Sequence, residues 1–303
     1  MPRARLHSDQ VDIDESVVRR LLEEQMEEYA DLPLRFVPSG GTDNAVYRLG
    51  EELAVRMPLR PGSVGGLLKE IRWLPVLAPH LTLAVPQIVR TGRPGDGYPF
   101  DWAVVRWLPG ADALTAGIGS MRDAALALGR FVTELRGVDT ADMPAPGSEG
   151  FIRGLPLIGR EETFRDALAQ CEGLVDLDLV VMRELWEDAL AAPDWDGPPV
   201  WLHGDLLPTN LLVRDGRVAG VLDFGAMATG DPAYDVTPAW QVLDREHRPL
   251  FRRIVEADDA TWRRARGLVV SGAVITFPYY LHTNPTMVAL ARRGIAEVLA
   301  DLA

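Results

Sequence analysis

The chain has 303 residues, 47% of them hydrophobic and 25% charged, and a formal net charge of −13. That length can bury a substantial core, and the composition is that of a globular protein rather than a disordered one. The acid excess argues against general attraction to nucleic acid or anionic lipid, and the single cysteine, Cys171, excludes an intrachain disulfide.

The opening MPRARLHSDQVDIDE lacks the apolar centre of a signal peptide. No uncharged apolar run reaches the roughly eighteen residues of a membrane span, so a cytoplasmic protein is expected. Over 14–26, Val17, Val18, Leu21, Leu22 and Met26 fall near helical spacing behind acids in the opening turn, which predicts an amphipathic helix. Short apolar runs broken by Gly, Asn and Asp then predict three antiparallel strands over 34–38, 45–49 and 53–57. A helix over 63–77 comes next, with Leu67, Leu68, Ile71, Leu74 and Leu77 on one side, and then strands over 87–91 and 101–106. Beyond Leu108 the pattern turns helical, over 121–135, 161–169, 177–192, 249–270 and 286–303. The only clear strand signal in that half is LLVRDGRVAGVLDF, two apolar runs joined by an Asp-Gly turn. The reading is α+β: a small antiparallel-sheet lobe over 1–107 and a larger helical lobe over 108–303, which also holds most of the acid excess.

Within the helical half, WLHGDLLPTNLLVRDGRVAGVLDFG places His203, Asp205, Asn210 and Asp223 in apolar surroundings. A carboxylate and a carboxamide can bind one hard cation through oxygen while a second carboxylate accepts a proton. Phosphoryl transfer needs that combination, because its catalysis is mostly positioning and neutralisation of phosphate charge. A serine hydrolase is a poor fit, since no G-x-S-x-G is present, and so is a zinc site, since none of the five histidines forms HExxH.

HGDLLPTN followed by VLDFG resembles the catalytic and metal-binding segments of the aminoglycoside phosphotransferase family, whose fold is related to that of protein kinases. The resemblance implies that Asp205 is the catalytic aspartate and that Asn210 and Asp223 bind Mg²⁺. His203 would hold the loop, and Asp231 and Asp235 of TGDPAYDV would buttress it. Many relatives have a histidine and a glycine where this chain has Leu207 and Thr209, which bears on substrate more than on reaction.

PSGGTDNAVYRL reads as a hairpin turn in which Gly40 and Gly41 let backbone N–H groups approach phosphate, with Ser39, Thr42 and Asn44 adding hydrogen bonds. The resemblance makes it the nucleotide-positioning loop. It also sets Arg56 where kinase-like proteins usually have a lysine paired with the triphosphate, with Glu70 as the acid that steadies it. The Arg106 carbonyl and Leu108 N–H would meet the purine edge of ATP, or of GTP.

The expected activity is transfer of a γ-phosphoryl group to a hydroxyl-bearing small molecule, with an aminoglycoside antibiotic first. A macrolide, or a metabolite such as a sugar or amino alcohol, is the alternative. Substrate-lining candidates are the acidic helices over 161–187, the APDWDG segment and FPYYLHTN with Phe277, Tyr279 and Tyr280. HGD in place of HRD, without an APE motif, argues against a protein substrate.

Overall fold

The structure, a computed structural model, describes residues 9–38, 43–95, 97–148, 150 and 153–302. The chain divides into two compact units, Met1–Gly110 with Gly220–Gly225, and Ala111–Ala219 with Ala226–Ala303.

In the first unit, helix α1 (Glu15–Gln25) starts where the Asp14 carboxylate accepts the Val17 N–H at 3.0 Å, so Asp14 caps the helix rather than belonging to it. Strands β1 (Leu34–Val37), β2 (Asn44–Leu49) and β3 (Leu53–Pro58) precede helix α2 (Pro61–Leu77) and strands β4 (Ile88–Gly92) and β5 (Trp102–Arg106). The sheet runs β1-β2-β3-β5-β4 with antiparallel neighbours. Alternate residues of β2, namely Ala45, Tyr47 and Leu49, are buried together with Val18, Leu21 and Leu22 of α1 and with Met26, which caps its end, and Trp102 and Val104 join them. Helix α2 opens on Pro61, where a missing N–H costs nothing. It buries Leu67, Leu74 and Leu77, and on the same side a carboxylate, Glu70.

The second unit begins with β6 (Ala111–Asp112) and the helices α3 (Ala113–Ala116), α4 (Met121–Arg136), α5 (Glu161–Cys171) and α6 (Leu179–Leu190). Strands β7 (Val200–Leu202), β8 (Leu211–Arg214), β9 (Arg217–Val221, of which Gly220 and Val221 count with the first unit) and β10 (Ala228–Gly230) come next, then α7 (Pro238–Gln241), α8 (Arg248–Ile254), α9 (Asp259–Tyr280) and α10 (Pro285–Leu302). Asp215 and Gly216, at φ 53° and 74°, form the tight turn from β8 to β9, since both central residues of such a turn need positive φ.

Two expectations are corrected here. The pair β7 and β10, antiparallel with Ala228 opposite Leu202, adds strands that three-residue runs are too short to announce by alternation. The single helix expected over 249–270 is two. Glu256 turns the chain at φ 51°, and Asp258 caps a new helix by accepting the Thr261 N–H at 2.7 Å. That helix, α9, continues past Val270 because Ala273, Val274 and Phe277 remain buried. Helices α1, α2, α4, α5, α6 and α10 end within about two residues of expectation, whereas α3 and α7, four residues each, were not expected.

Arg264 on α9 closes a fork on Asp231, Nε to Oδ2 at 2.7 Å and Nη2 to Oδ1 at 3.0 Å, with the two side chains 2% and 5% exposed. Asp231 also caps the next turn through the Ala233 N–H at 2.9 Å. Removing one partner leaves the other charge buried and uncompensated. Asp231→Ala is expected to lower stability by about 3–5 kcal/mol, read from urea unfolding midpoints.

Candidate functional site

In the second unit, β7 delivers the chain to His203, which is fully buried. The backbone N–H groups of His203 and Gly204 donate to the two oxygens of the Asp235 carboxylate, at 2.7 and 2.8 Å. The Asp205 N–H donates to His203 Nδ1 at 3.2 Å, so that nitrogen acts as acceptor and the ring is tied to its own loop. Asn210 Nδ2 donates to the Asp205 carbonyl at 2.9 Å and to the Asp205 carboxylate Oδ2 at 3.0 Å. The loop between them closes on itself through Leu207 N–H to the Asp205 carbonyl, 2.8 Å, and Asn210 N–H to the Leu207 carbonyl, 2.9 Å. His203, Asp205, Asn210 and Asp235 are therefore brought together in one hydrogen-bonded unit.

Gly204 is required at its place. Its φ is +77°, and a Cβ there would stand 2.8 Å from the Ala226 carbonyl oxygen and 3.1 Å from Arg153 Cγ. Burial pushes the Asp235 carboxyl up, opposed by His203, the two amides and Arg136. Arg136 was not apparent from the sequence. Its guanidinium donates to the Pro232 carbonyl at 3.0 Å and the Val255 carbonyl at 2.9 Å, fastening the end of α4 to the segment that carries Asp231 and Asp235.

In the first unit, Arg56 on β3 lies opposite Val46 of β2 and Ala103 of β5, in the middle of the sheet. Its side chain is 11% exposed. One terminal nitrogen, Nη1, pairs with Glu70 of α2, whose side chain is fully buried, and the other, Nη2, reaches Asp223 Oδ1 at 3.0 Å. Burial disfavours the Arg56 charge, but Glu70 and then Asp223 outweigh it and hold the guanidinium above its ordinary range. Asp223 takes φ 59°, a left-handed conformation that costs a non-glycine residue roughly 1–3 kcal/mol and clusters at functional sites.

Four of the remaining expected residues, Ser39, Gly40, Gly41 and Thr42, lie outside the described residues. Asn44 opens β2 opposite Pro58. Its neighbour Asp43, not singled out from the sequence, accepts from Arg60 Nε and Nη2 at 3.2 and 3.1 Å and from Ser63 Oγ at 3.1 Å, tying the hairpin to the start of α2. Arg106 gives its N–H to the Gln87 carbonyl at 2.9 Å, and its exposed side chain meets Glu52 at 3.4 Å; Leu108 is half-buried. Asp231 pairs with Arg264 rather than with the backbone of the loop that carries Asp205 and Asn210.

Comparison with known proteins identifies the family. The family model described as phosphotransferase enzyme family, APH, matches residues 35–268. The chain belongs to that family. An uncharacterized protein of Bacillus subtilis (strain 168), YcbJ, is 32% identical over 143 residues, covering 45% of this chain and 44% of that relative. Among solved structures, the GDP complex of wild-type aminoglycoside 2'-phosphotransferase-IIIa aligns with a TM-score of 0.73 at 20% identity, over 95% of this chain and 98% of that one. The apoenzyme of macrolide 2'-phosphotransferase MphH from Brachybacterium faecium aligns with a TM-score of 0.63 at 24% identity, over 93% and 98%. At these identities the likeness is one of fold. The chain thus has the expected α+β, kinase-like fold, and among the described residues no helix is long and apolar enough to cross a membrane.

Gly204→Ala forces a side chain into the left-handed conformation and against a carbonyl. It is expected to lower stability by roughly 1–3 kcal/mol and to reduce phosphate transfer, checked by thermal melting alongside a turnover assay.

Proposed function

We propose that this phosphotransferase moves the γ-phosphoryl group of ATP or GTP to a hydroxyl of an antibiotic, an aminoglycoside first. The observation that carries the reaction is the loop in which Asn210 holds both the carbonyl and the carboxylate of Asp205. Asp205 orients the acceptor hydroxyl and takes its proton, within a loop that cannot drift because Asp235 grips the two preceding amides.

The residues suit Mg²⁺. With Nδ2 committed to Asp205, the oxygen of the Asn210 side chain is the group it has to offer a cation, and Asp223 offers carboxylate Oδ2 beside the Oδ1 that meets Arg56. Among the described residues no cluster of three or more His, Cys, Asp or Glu side chains is placed to hold a metal. A contribution of two hard oxygens matches an ion that keeps its waters and takes phosphate as ligand. When bound, that ion neutralises phosphate charge. Arg56 and Glu70 belong to the nucleotide side. The Trp107 N–H is spent on the Glu52 carbonyl at 2.7 Å, and the Arg106 carbonyl and Leu108 N–H are assigned to the purine edge.

The aminoglycoside reading is supported by exposed acids on α5 and α6, Glu162, Asp166, Glu184 and Glu187, a negative field that attracts a polycationic substrate. A macrolide is the second reading, favoured by the exposed aromatic rings of Trp195 and Tyr279. Phe277 is buried and serves packing instead.

Purified protein with Mg²⁺ and ATP or GTP is to be offered aminoglycosides, macrolides, sugars and amino alcohols, with products weighed by mass spectrometry. A product heavier by one phosphoryl group, on an aminoglycoside and not on a sugar, is the expected result. Asp205→Ala is expected to reduce its formation about 10²–10⁴-fold. An unchanged rate in that variant would remove the general-base role, and phosphorylation confined to metabolites would remove the antibiotic.

A further inference from the structure

We infer that Arg56 is a positioning residue for the metal-binding carboxylate Asp223, and that an arginine, not the lysine usual at this place, is what allows it. The inference rests on the phosphotransferase reading and deepens it. The two terminal nitrogens of the fork are divided between two carboxylates, Nη1 to Glu70 and Nη2 to Asp223 Oδ1. Glu70 is fully buried on α2 and Arg56 is 11% exposed, so that end of the unit is fixed, while Asp223 is 46% exposed and is the end that can meet solvent or ligand. Charge accounting points the same way. One guanidinium already faces two carboxylates, so it has no unpaired positive charge to offer before any phosphate arrives.

Asp223 needs such a hold. Its φ of 59° is a conformation a non-glycine residue keeps only when its surroundings over-determine it. Its Oδ1 takes the Arg56 fork at 3.0 Å and the Gly225 N–H at 3.4 Å, and among the described residues no hydrogen bond or ion pair uses Oδ2. The fork thus turns one oxygen inward and leaves the other for the cation. A planar guanidinium does this with two nitrogens in fixed relation, whereas a lysine would have to serve both carboxylates from one shorter-reaching ammonium.

The test is calorimetric titration of ADP and of GDP into the wild-type protein and Arg56→Lys across a series of Mg²⁺ concentrations, with a thermal melt of each protein. For Arg56→Lys the Mg²⁺ concentration giving half-maximal nucleotide affinity is expected to rise about tenfold or more, while affinity at saturating Mg²⁺ stays within about twofold, the pattern of a lost outer-shell partner. If Arg56→Lys does not melt cooperatively, Glu70→Gln carries the same measurement, because it removes the anchor of the fork, and a rise in the same direction is expected. Weakening by the same factor at every Mg²⁺ concentration would make Arg56 a phosphate clamp and overturn the inference. So would an unchanged or lowered Mg²⁺ requirement. Absence of nucleotide binding by the wild-type protein would instead overturn the phosphotransferase reading, and this inference with it.

Discussion

Both oxygens of the Asp235 carboxylate are spent on the neighbouring amides of His203 and Gly204, at 2.7 and 2.8 Å, in a setting with no exposure to solvent. Burying an anion is costly unless donors surround it, and two charge-assisted bonds to the backbone meet that requirement while fixing the direction in which the chain leaves β7. The next residues inherit that direction. Asp205 donates its N–H back to His203, Asn210 folds over onto Asp205, and the loop closes through Leu207. Arg136 and Arg264 hold the segment that bears Asp231 and Asp235, so the support reaches back to α4 and α9.

The first unit solves a similar problem with the opposite sign. A largely covered cation on the central strand β3 lies between two carboxylates, one buried in α2 and one on a strained residue at the end of an apolar run. Removing any one of the three would leave the others imperfectly compensated, so their geometry is coupled. The departure from lysine at Arg56 is therefore more than a change of cation. It alters how many acceptors one side chain can hold at once.

Elements with a full period of apolar residues were legible in the sequence: α1, α2, the five strands of the first sheet, and the Asp-Gly turn. The strands β7 and β10 were not, because three residues carry no period, and the break between α8 and α9 was hidden in a continuous helical texture that a left-handed Glu256 interrupts. The acidic pair and the asparagine of the loop stood out by spacing. Their supports did not. Arg264 lies 33 residues from Asp231, and Arg136 96 residues from the Pro232 carbonyl it holds, and separations of that kind leave no local pattern. Asp43 was overlooked beside the glycines of its hairpin, although an aspartate just before a strand, with an arginine heading the next helix, is a readable pairing.

The most direct measurement is amide hydrogen exchange over residues 201–210 in the wild-type protein and in Asp235→Asn, which replaces one acceptor oxygen by an NH₂ group that cannot accept from an N–H. The account predicts faster exchange at His203 and Gly204 together with a fall in turnover, while the amides of α4 and α9 keep their protection. Unchanged protection at those two amides would contradict the claim that the Asp235 carboxylate holds the loop leading to Asp205 and Asn210.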